Sequence, residues 1–397
     1  MRIAHIITRL ILGGAQENTL LTCEDLARDY GDDVLLVTGP PLGPEGSLLE
    51  RARTHQVPVT IVDALRRSIH PLYDARAYRE LKRVLRDFRP EVVHTHSAKG
   101  GMLGRVVASS LGVRAVVHTV HGAPFHPYQS WAARQFFRAC ERFAARRCHA
   151  LVSVADAMTE QLVAAGVAPR EKFTTIYSGM EVEPFLNADA QREAMRQALG
   201  FEPQHVVIGK IARLFHLKGH EYVISAAREV VARRPEARFL FIGDGLLREA
   251  LEGQVAAAGL SKHVRFAGLV PPEKIADYLG ATDIVVHASL REGLARVLPQ
   301  AMIAGKPVVS YDVDGAREVV IPGETGYLLP PRSIKPMADV LVELVSNPAE
   351  RARLGNEGRR RFTDRFRHEK MTCEIRALYE RLLADDAHSI VDSRRAD

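Results

Sequence analysis

The chain has 397 residues, of which 46% are hydrophobic and 26% are charged. This composition is typical of a globular protein and excludes a largely disordered chain. No run reaches the roughly 18 apolar residues that a membrane-spanning helix needs, and the length favours two domains. The net charge of +6 at pH 7 suits an anionic ligand or an anionic membrane surface, although an arginine-rich solvated surface explains it equally well.

Four scattered cysteines lack the spacing of a zinc site or a disulfide framework, which predicts a reducing compartment. The apolar N-terminus contains Arg2, His5 and Arg9 and lacks a small-residue cleavage site, so we interpret it as a strand and not as a signal peptide. We expect a cytoplasmic protein, with attachment to the inner membrane face left open. Nucleic acid is not expected as a partner, because no zinc finger or aromatic and basic stacking motif occurs.

Strand and helix signals alternate through the first half, which predicts a parallel sheet built from βαβ units. Tyr78, Leu81, Leu85 and Phe88 share one helical stripe between two of these strands. The predicted strands of this half are 2–7, 33–37, 92–94, 115–120 and 150–154.

A second series of the same kind follows a polar segment over 186–204, which we predict to be a linker. Its predicted strands are 206–211, 238–242, 264–266, 283–286 and 307–310. An amphipathic helix then covers 367–385 and precedes a flexible tail at 386–397. The sequence therefore predicts an α/β protein with a first domain over 1–185, completed by the last helix, and a second domain over 205–366.

Two common nucleotide-binding motifs are missing from the chain. No G-x-G-x-x-G follows the first strand of either half, and the loop that begins at Gly243 has Arg248 where a third glycine is needed. The phosphate-binding motif G-x-x-x-x-G-K-[ST] does not occur. A dinucleotide dehydrogenase and a P-loop nucleoside triphosphatase are therefore disfavoured.

A glycine pair, Gly13 and Gly14, follows the first predicted strand. Paired glycines let the backbone come close to a ligand, and a helix that begins there offers free N–H groups to an anion. An ordinary turn from strand to helix explains the pair equally well.

Two cations, Arg213 and Lys218, follow the first strand of the second half. Open α/β sheets bind ligands at the carboxyl ends of their strands. A diphosphate leaving group gains negative charge as its bond to a sugar breaks, and fixed cations stabilise that charge without a metal ion. The alternative is that both are surface charges in a loop.

The segment from Glu292 to Gln300 follows a later strand of the second half. Gly293 frees the backbone and a helix is predicted to begin nearby, so Leu294 and Ala295 could offer N–H groups to a phosphate. The Glu292 carboxylate could accept hydrogen bonds from sugar hydroxyls. The alternative is an acid that only favours the start of a helix.

Histidines mark the ends of two neighbouring strands. His94 and His96 alternate on one strand and share a face, while His118 and His121 end the next strand. A metal site is disfavoured because no acid lies between these histidines. Most of the set can be satisfied structural groups, and His121, beside a glycine, is the strongest functional candidate.

A basic, aromatic segment over 131–147 predicts an amphipathic helix. Such a helix can lie on an anionic membrane or bind a lipid carrier. A packed surface helix with a solvated arginine face is the favoured alternative.

Taken together, these motifs resemble the retaining glycosyltransferases of family 4, which have the GT-B architecture. Each motif is weak alone, but their order and separation through nearly the whole chain make the resemblance strong. The motifs are Gly13-Gly14-Ala15-Gln16, Val93-His94-Thr95-His96-Ser97, His118-Thr119-Val120-His121-Gly122, Arg213 to Lys218-Gly219, Gly243-Asp244-Gly245, Glu292-Gly293 to Gln300-Ala301-Met302 and Gly305-Lys306-Pro307-Val308-Val309.

The resemblance implies two Rossmann-like domains whose parallel sheets face a cleft, with the C-terminal helix crossing back to the first domain. The first domain would bind the acceptor, with His94, His96 and Lys99 as acceptor-side candidates. The second would bind a nucleotide sugar, and Gly243 is among its donor-side candidates.

Specific roles are also implied by the resemblance. Arg213 and Lys218 would hold the donor diphosphate, and Gly14 would approach the phosphates when the cleft closes. His121 would lie beside the transferred sugar, which Glu292 would contact.

Two positions depart from the family pattern. Gln300 replaces the second acid of the E-x7-E motif, which accepts hydrogen bonds from the ribose hydroxyls in the family, so we expect weaker or altered ribose binding. Ala295 stands where glycine is usual, and its methyl group would slightly restrict the approach of a phosphate.

The sequence thus predicts a retaining glycosyltransferase of class EC 2.4 that uses a UDP- or GDP-sugar and needs neither cofactor nor metal. Its acceptor would be a glycan, a lipid-linked molecule or a small molecule, within the synthesis of a cell-surface polysaccharide. The alternatives are a GT-B epimerase or hydrolase of nucleotide sugars and a non-catalytic module that binds them.

Overall fold

The computed structural model describes residues 1–42 and 46–395, with side chains as far as Asp386. These residues form two units. Unit 1 comprises Met1–Met180 together with the chain from Arg367 onward, and unit 2 comprises Glu181–Phe366.

Unit 1 is built on a parallel sheet that has seven strands within the described residues. Their order across the sheet is β3-β2-β1-β4-β5-β6-β7. The central strands are buried along almost their whole length, as expected for a parallel sheet covered on both faces. The strands are β1 (Arg2–Arg9), β2 (Asp33–Gly39), β3 (Val59–Ile61), β4 (Val92–His96), β5 (Ala115–Val120), β6 (Ala150–Ser153) and β7 (Phe173–Thr175).

Helices connect these strands. In α3 the predicted stripe is present, with Leu81 and Leu85 buried beside Ala77 and with Tyr78 and Phe88 partly buried. The helices are α1 (Gly14–Tyr30), α2 (Leu49–Thr54), α3 (Pro71–Phe88), α4 (Ala98–Ser110), α5 (Trp131–Ala145) and α6 (Asp156–Ala164).

Unit 2 repeats the plan with a parallel sheet of six strands in the order β10-β9-β8-β11-β12-β13. Its strands are β8 (Val206–Ile211), β9 (Ala237–Ile242), β10 (Val264–Gly268), β11 (Ile284–His287), β12 (Val308–Tyr311) and β13 (Gly326–Leu329). Its helices are α7 (Glu183–Leu186), α8 (Arg192–Ala198), α9 (His220–Arg233), α10 (Arg248–Ala257), α11 (Ile275–Ala281), α12 (Val297–Ile303), α13 (Ile334–Ser346) and α14 (Pro348–Phe362).

The last helix, α15 (His368–Arg395), belongs to unit 1. Met371, Ile375 and Tyr379 join the hydrophobic core of unit 1 together with residues of β1, β4 and α1. Buried polar contacts anchor the start of the helix, because the Asp25 carboxylate meets His368 Nδ1 at 2.8 Å and accepts a hydrogen bond from the Thr372 hydroxyl at 2.7 Å.

The α/β class with two parallel-sheet domains is confirmed, and each predicted strand is present within two residues of its expected ends. The segment 186–204 is not a free linker, however. It forms α8 and a short 3-10 helix, and the Arg196 guanidinium is buried against Asp283 of unit 2 at 3.1 Å. Unit 2 begins at Glu181. The polar sequence of 186–204 did not indicate that this segment packs within unit 2, because its charged side chains form ion pairs there.

The C-terminal helix also runs further than predicted. It continues through 386–395, where we predicted a flexible tail, and residues 396 and 397 lie outside the described residues. No glycine or proline follows Leu383 to stop the helix.

Candidate active site

Two loops of unit 2 leave the sheet at the place where the strand order reverses. The loop 212–219 follows β8 and the loop 288–296 follows β11, and these strands are neighbours, with Ile284 opposite Ile208. Open α/β sheets bind ligands outside the carboxyl ends of their strands at such a point. The residues predicted to hold a donor diphosphate therefore lie at the favoured position of this fold.

Gly219 allows the two loops to come close together. Its φ is +69°, and a Cβ there would lie 1.9 Å from the carbonyl oxygen of Ala288. The loops are also joined by a hydrogen bond of 2.8 Å, in which Leu290 N donates to Leu217 O. The backbone thus fixes Lys218 beside the loop that follows β11.

Lys218 and Glu292 form an ion pair across these loops. Lys218 Nζ lies 2.5 Å from Glu292 Oε1, and each side chain retains 21% of its exposure. Burial tends to raise the pKa of the Glu292 carboxyl, but Lys218 and His287 together outweigh burial and lower it. Glu292 is therefore a carboxylate at neutral pH, and both partners remain within reach of a ligand.

The backbone of Glu292 is held in place from a third loop. Its N–H donates to the Asp314 carboxylate at 2.6 Å, and Gly315 N donates to Gly293 O at 3.0 Å. Burial raises the pKa of Asp314, against the effect of the N–H bond that it accepts. These contacts hold Glu292 and Gly293 at the end of β11.

A group of buried polar side chains lies near this ion pair, and sequence reasoning missed it. Lys210 Nζ and both ring nitrogens of His220 and His287 have no hydrogen-bond partner among the described residues. Burial lowers the pKa of Lys210 to about 7, of His220 to about 2 and of His287 to about 3. The available signal was a lysine within an otherwise apolar strand.

Arg213 is exposed, and its guanidinium carbon lies 5.0 Å from the ring centroid of Phe215. Among the described residues, no carboxylate lies within ion-pair distance of it. Gly243 supports the same loop, since its φ is +136° and a Cβ there would lie 2.2 Å from Ala212 O. Arg213 is therefore an available cation on a loop with little room to change shape.

The segment after Gly293 differs slightly from expectation. Helix α12 begins at Val297, so Leu294 and Ala295 lie in the bend before it and not in its first turn. Ala295 is buried, whereas Leu294 and Gln300 are partly exposed.

In unit 1 the glycine pair lies where it was predicted. Gly13 precedes the first turn of α1 and Gly14 is its first residue, and three residues separate the pair from the end of β1 at Arg9. A Cβ at Gly13 would lie 2.7 Å from Gln16 Oε1, so a larger residue would displace that side chain. The N-terminus of α1 is a potential anion site in its own right.

His94 and His96 are not where an acceptor could touch them. Both are completely buried, with their rings stacked at 4.3 Å, and His94 is hydrogen-bonded to Tyr379 Oη and, at 2.7 Å, to Thr119 Oγ1. Direct contact with an acceptor would need these buried rings to become accessible, and the acceptor-side role stays a prediction for both. Tyr379 of helix α15 is the hydrogen-bond partner of His94 and covers it. The strand pattern alone could not predict this contact.

Lys99, the third acceptor-side candidate, lies in the first turn of α4 and contacts the Asp74 carboxylate and the carbonyl of Ser68. His118 is buried against α4, where a Cβ at Gly101 would lie 2.4 Å from its ring. His121 is the only half-buried member of the four predicted histidines.

His5 adds a histidine to this region that the search for motifs missed. Ring nitrogens of His5, His94 and His96 lie within 4.8 Å of one another, which is a spacing that could hold a metal ion. The parallel pairing of β1 with β4 places His5 beside His94, its register partner.

Two family models match the chain over most of its length. The model described as "Glycosyl transferase 4-like domain" covers residues 13–179, and "Glycosyl transferases group 1" covers residues 191–361. The chain belongs to the family 4 glycosyltransferases of the GT-B type. It is an enzyme of class EC 2.4.

This glycosyltransferase is similar to named relatives over most of its length. It is 26% identical over 382 residues to an Escherichia coli UDP-Gal:alpha-D-GlcNAc-diphosphoundecaprenol alpha-1,3-galactosyltransferase, with 96% of each chain covered. It is 27% identical to an alpha-D-kanosaminyltransferase of Streptomyces kanamyceticus, over 81% of this chain and 87% of the relative.

Among solved structures, Anabaena Alr3699/HepE in complex with UDP-glucose matches with a TM-score of 0.80 at 21% identity, over 96% of this chain and 99% of that one. This likeness supports the fold. Within the described residues, every helix of the glycosyltransferase is too short or too polar to cross a lipid bilayer.

Proposed function

We propose that the protein is a retaining glycosyltransferase that uses a UDP- or GDP-sugar. Its acceptor is a glycan, a lipid-linked molecule or a small molecule, in the synthesis of a cell-surface polysaccharide. The observation that carries the proposal is the Lys218–Glu292 pair at the switch point of unit 2. The E. coli relative is named for a UDP-sugar and a diphosphate-linked lipid, and the Anabaena structure is named for UDP-glucose, which supports this donor class.

The donor diphosphate binds Lys218 and Arg213 in this proposal. As the bond between the anomeric carbon and the phosphate oxygen breaks, its electron pair stays on the diphosphate. The two cations stabilise this growing charge, and their effect is largest in the transition state. Lys218 must then exchange part of its contact with Glu292 for phosphate oxygens, while the N–H groups of Leu294 and Ala295 offer further donors.

Glu292 accepts hydrogen bonds from hydroxyls of the transferred sugar. The lowered pKa of its carboxyl keeps it an acceptor, and the Asp314 contact keeps its backbone in place. The ion pair with Lys218 thus keeps both side chains aligned before the donor binds. Without this pair, each charged group would need a different partner in the enzyme without donor. This prealignment reduces the cost of ordering side chains when the donor binds.

The acceptor hydroxyl attacks the anomeric carbon from the face that the diphosphate leaves, so configuration is retained. The departing phosphate oxygen takes the acceptor proton, and no protein nucleophile or metal ion is required. In unit 1, His121 contacts the transferred sugar and Gly14 offers backbone N–H to the phosphates. Gln300 contacts the ribose through its neutral amide, which accepts and also donates.

We also propose that α5 brings the enzyme to the inner membrane face. Trp131, Phe136 and Phe143 of this helix are exposed by 76%, 53% and 42%. Exposed aromatic rings beside arginines suit an interface of anionic lipid. This location would suit a lipid-linked acceptor.

The test of the donor site is the variant Lys218→Ala, assayed with a panel of UDP- and GDP-sugars. Loss of a cation that acts mainly in the transition state should lower kcat/KM by about 100-fold. Lys335→Ala is the matched control, since Lys335 is 74% exposed and pairs only with Asp339 among the described residues. Unchanged turnover of Lys218→Ala would refute the central role of this lysine.

A second measurement separates transfer from related reactions. The enzyme and donor are incubated without acceptor, and free or epimerised sugar is measured. Transfer predicts little product until an acceptor is added, whereas rapid release without acceptor would favour an epimerase or hydrolase.

A further inference from the structure

Three imidazole rings of unit 1 are connected in series by hydrogen bonds. His5 Nδ1 lies 3.1 Å from His96 Nε2, and His96 Nδ1 lies 3.2 Å from His121 Nε2. His5 and His96 are fully buried, whereas His121 is half-buried after the end of β5. The only member of the series that reaches the surface is thus the residue to which we assign contact with the sugar.

A metal ion does not explain this arrangement well. Ligand lone pairs must point at a shared ion, but the His5 and His96 rings are stacked with 12° between their planes, and those of His94 and His96 with 29°. Both ring nitrogens of His94 are already close to hydroxyl groups, those of Tyr379 and Thr119. The nitrogens therefore meet one another in pairs and do not converge on a common point.

The chemistry of imidazole restricts such a series. A neutral ring carries one N–H and one lone pair, so His96 must donate to one neighbour and accept from the other. The charged form, which could donate on both sides, is disfavoured because burial lowers the pKa of His5 to about 3 and that of His96 well below its usual value. The tautomer of any one ring therefore determines the tautomers of the other two.

The direction of the series follows from its buried end. His5 Nε2 has no hydrogen-bond partner among the described residues. If instead His121 donated to His96 and His96 donated to His5, the Nε2 of His5 would carry a proton without an acceptor. Buried N–H groups without an acceptor are rarer in proteins than buried acceptors without a donor. We infer that His5 donates to His96 and that His96 Nδ1 donates to His121 Nε2.

We propose that His5 and His96 are positioning residues that hold His121 in the tautomer with its proton on Nδ1 and fix the plane of its ring. The proposal rests on the role assigned to His121 in the proposed function and names residues that control it. Neither His5 nor His96 needs to touch the substrate. Imidazole side chains in water favour the proton on Nε2, so the inferred tautomer is not the default.

The test is nitrogen NMR of the protein labelled with ¹⁵N-histidine, with the His121 signals assigned from a His121→Gln variant. The expected result for the unmodified protein is a protonated Nδ1 and a bare Nε2 on His121. A protonated Nε2 on His121 would overturn the proposal. This measurement needs no donor or acceptor, so it stands or falls independently of the proposed reaction.

Two substitutions at His5 then test the connection. His5→Phe keeps a ring in the stack but removes the donor to His96, and His121 should shift toward protonation on Nε2. His5→Asn places an amide N–H near the former Nδ1 and should restore the original tautomer. A His121 spectrum that is the same in all three folded proteins would overturn the proposal.

Kinetics supply the functional readout. We expect His5→Phe to lower kcat/KM about tenfold while donor affinity in the absence of turnover stays within twofold, and His5→Asn to recover most of the loss. A merely structural role would reduce the amount of folded enzyme without moving the tautomer. If no transfer activity is found at all but the tautomer shifts as expected, the proposed function fails and the positioning by His5 and His96 survives.

Discussion

Lys210 is a cation enclosed by the core of unit 2, on a strand whose other residues are apolar or small. Its ammonium has no acceptor among the described residues, and burial lowers its pKa from 10.5 to about 7. A buried amine without a partner costs folding free energy whenever it is charged. The presence of Lys210 next to the Lys218–Glu292 pair suggests a residue kept for function at the expense of stability.

Replacing Lys210 should therefore change how stability depends on pH. Below pH 7 both the folded and unfolded states carry the proton, whereas between pH 7 and 10.5 the unfolded chain binds more protons than the folded one. The stability of the parent protein should then rise with pH in this window, by up to about 1.4 kcal/mol per pH unit from this group. Lys210→Met should lack this contribution and be more stable at pH 7 by about 2–4 kcal/mol.

Urea unfolding of both proteins at several pH values between 6 and 10 measures the effect. The difference between Lys210→Met and the parent should be largest at low pH and shrink as the pH rises. Lys335→Met, at an exposed site, is the control and should follow the parent. Curves for Lys210→Met and the parent that stay parallel across the range would contradict the depressed pKa.

Single residues of the site could be predicted from sequence when they lie in loops after strands. The positions of Arg213, Lys218 and Glu292 were predicted in this way, because chain order alone places such loops at one edge of a parallel sheet, and their roles stay predictions. The roles of His94 and His96 could not be predicted, since their surroundings depend on Tyr379, nearly three hundred residues away. Lys210 and His5 were missed because one polar residue in an apolar strand gives no periodic signal.

At the scale of elements, α5 is a helix with two different faces. Glu141, Ala144 and Ala145 are buried, while Phe136 and Phe143, two turns apart, are exposed on a common side. Arg138 and Arg142 donate to the backbone carbonyls of residues 165 and 166, so part of the positive charge supports the fold of unit 1. Arg147 lies 3.4 Å from the Phe143 ring centroid and Phe137 lies 5.5 Å from that of Phe136, yet both rings remain about half exposed.

If α5 meets a membrane, removing its exposed rings should weaken binding to lipid. We expect the parent protein to sediment with vesicles that contain anionic lipid, and a variant with Trp131→Ser and Phe136→Ser to bind at least about fivefold more weakly, since each ring loses favourable apolar burial. Leu269→Ser in unit 2 is a matched control, since Leu269 is 65% exposed. Equal binding of all three proteins would remove α5 as the contact.

Short strands were predictable when they are buried along their whole length, as are the four-residue strands β6, β11 and β12. Strands β3, β7 and β13 were missed, because they lie at sheet edges and are only partly buried, so their sequences give no continuous apolar run. Helix α15 was recognised from its apolar stripe, but its end was not, since no residue that stops a helix follows. Segment 186–204 was predicted to be a linker because it is polar, whereas its Arg196 is buried against Asp283.

On the scale of the whole molecule, the two units differ in how many segments of the chain build them. Unit 2 is continuous in sequence, whereas unit 1 needs both ends of the chain. The core of unit 1 includes Met371, Ile375, Leu378 and Tyr379 from α15. Without this helix, apolar surface on the sheet and on α1 would face water.

Truncation should separate the two units. We expect a fragment of residues 181–366 to unfold cooperatively as an independent domain. A fragment of residues 1–366 should keep that transition but lose the transition of unit 1, because several buried side chains and the Asp25–His368 contact are missing. Calorimetry of both fragments measures this, and two intact transitions in 1–366 would show that α15 is dispensable.

The split of unit 1 has a consequence for the ribosome. Synthesis delivers β1–β7 first, then all of unit 2, and only after that the helix that packs on the core of unit 1. The nascent chain must therefore carry an unfinished domain while a complete one folds behind it, which reverses the usual order in which the N-terminal domain is finished first. A chaperone that shields the uncovered sheet during translation would have its longest opportunity in this protein while residues 181–366 are being made.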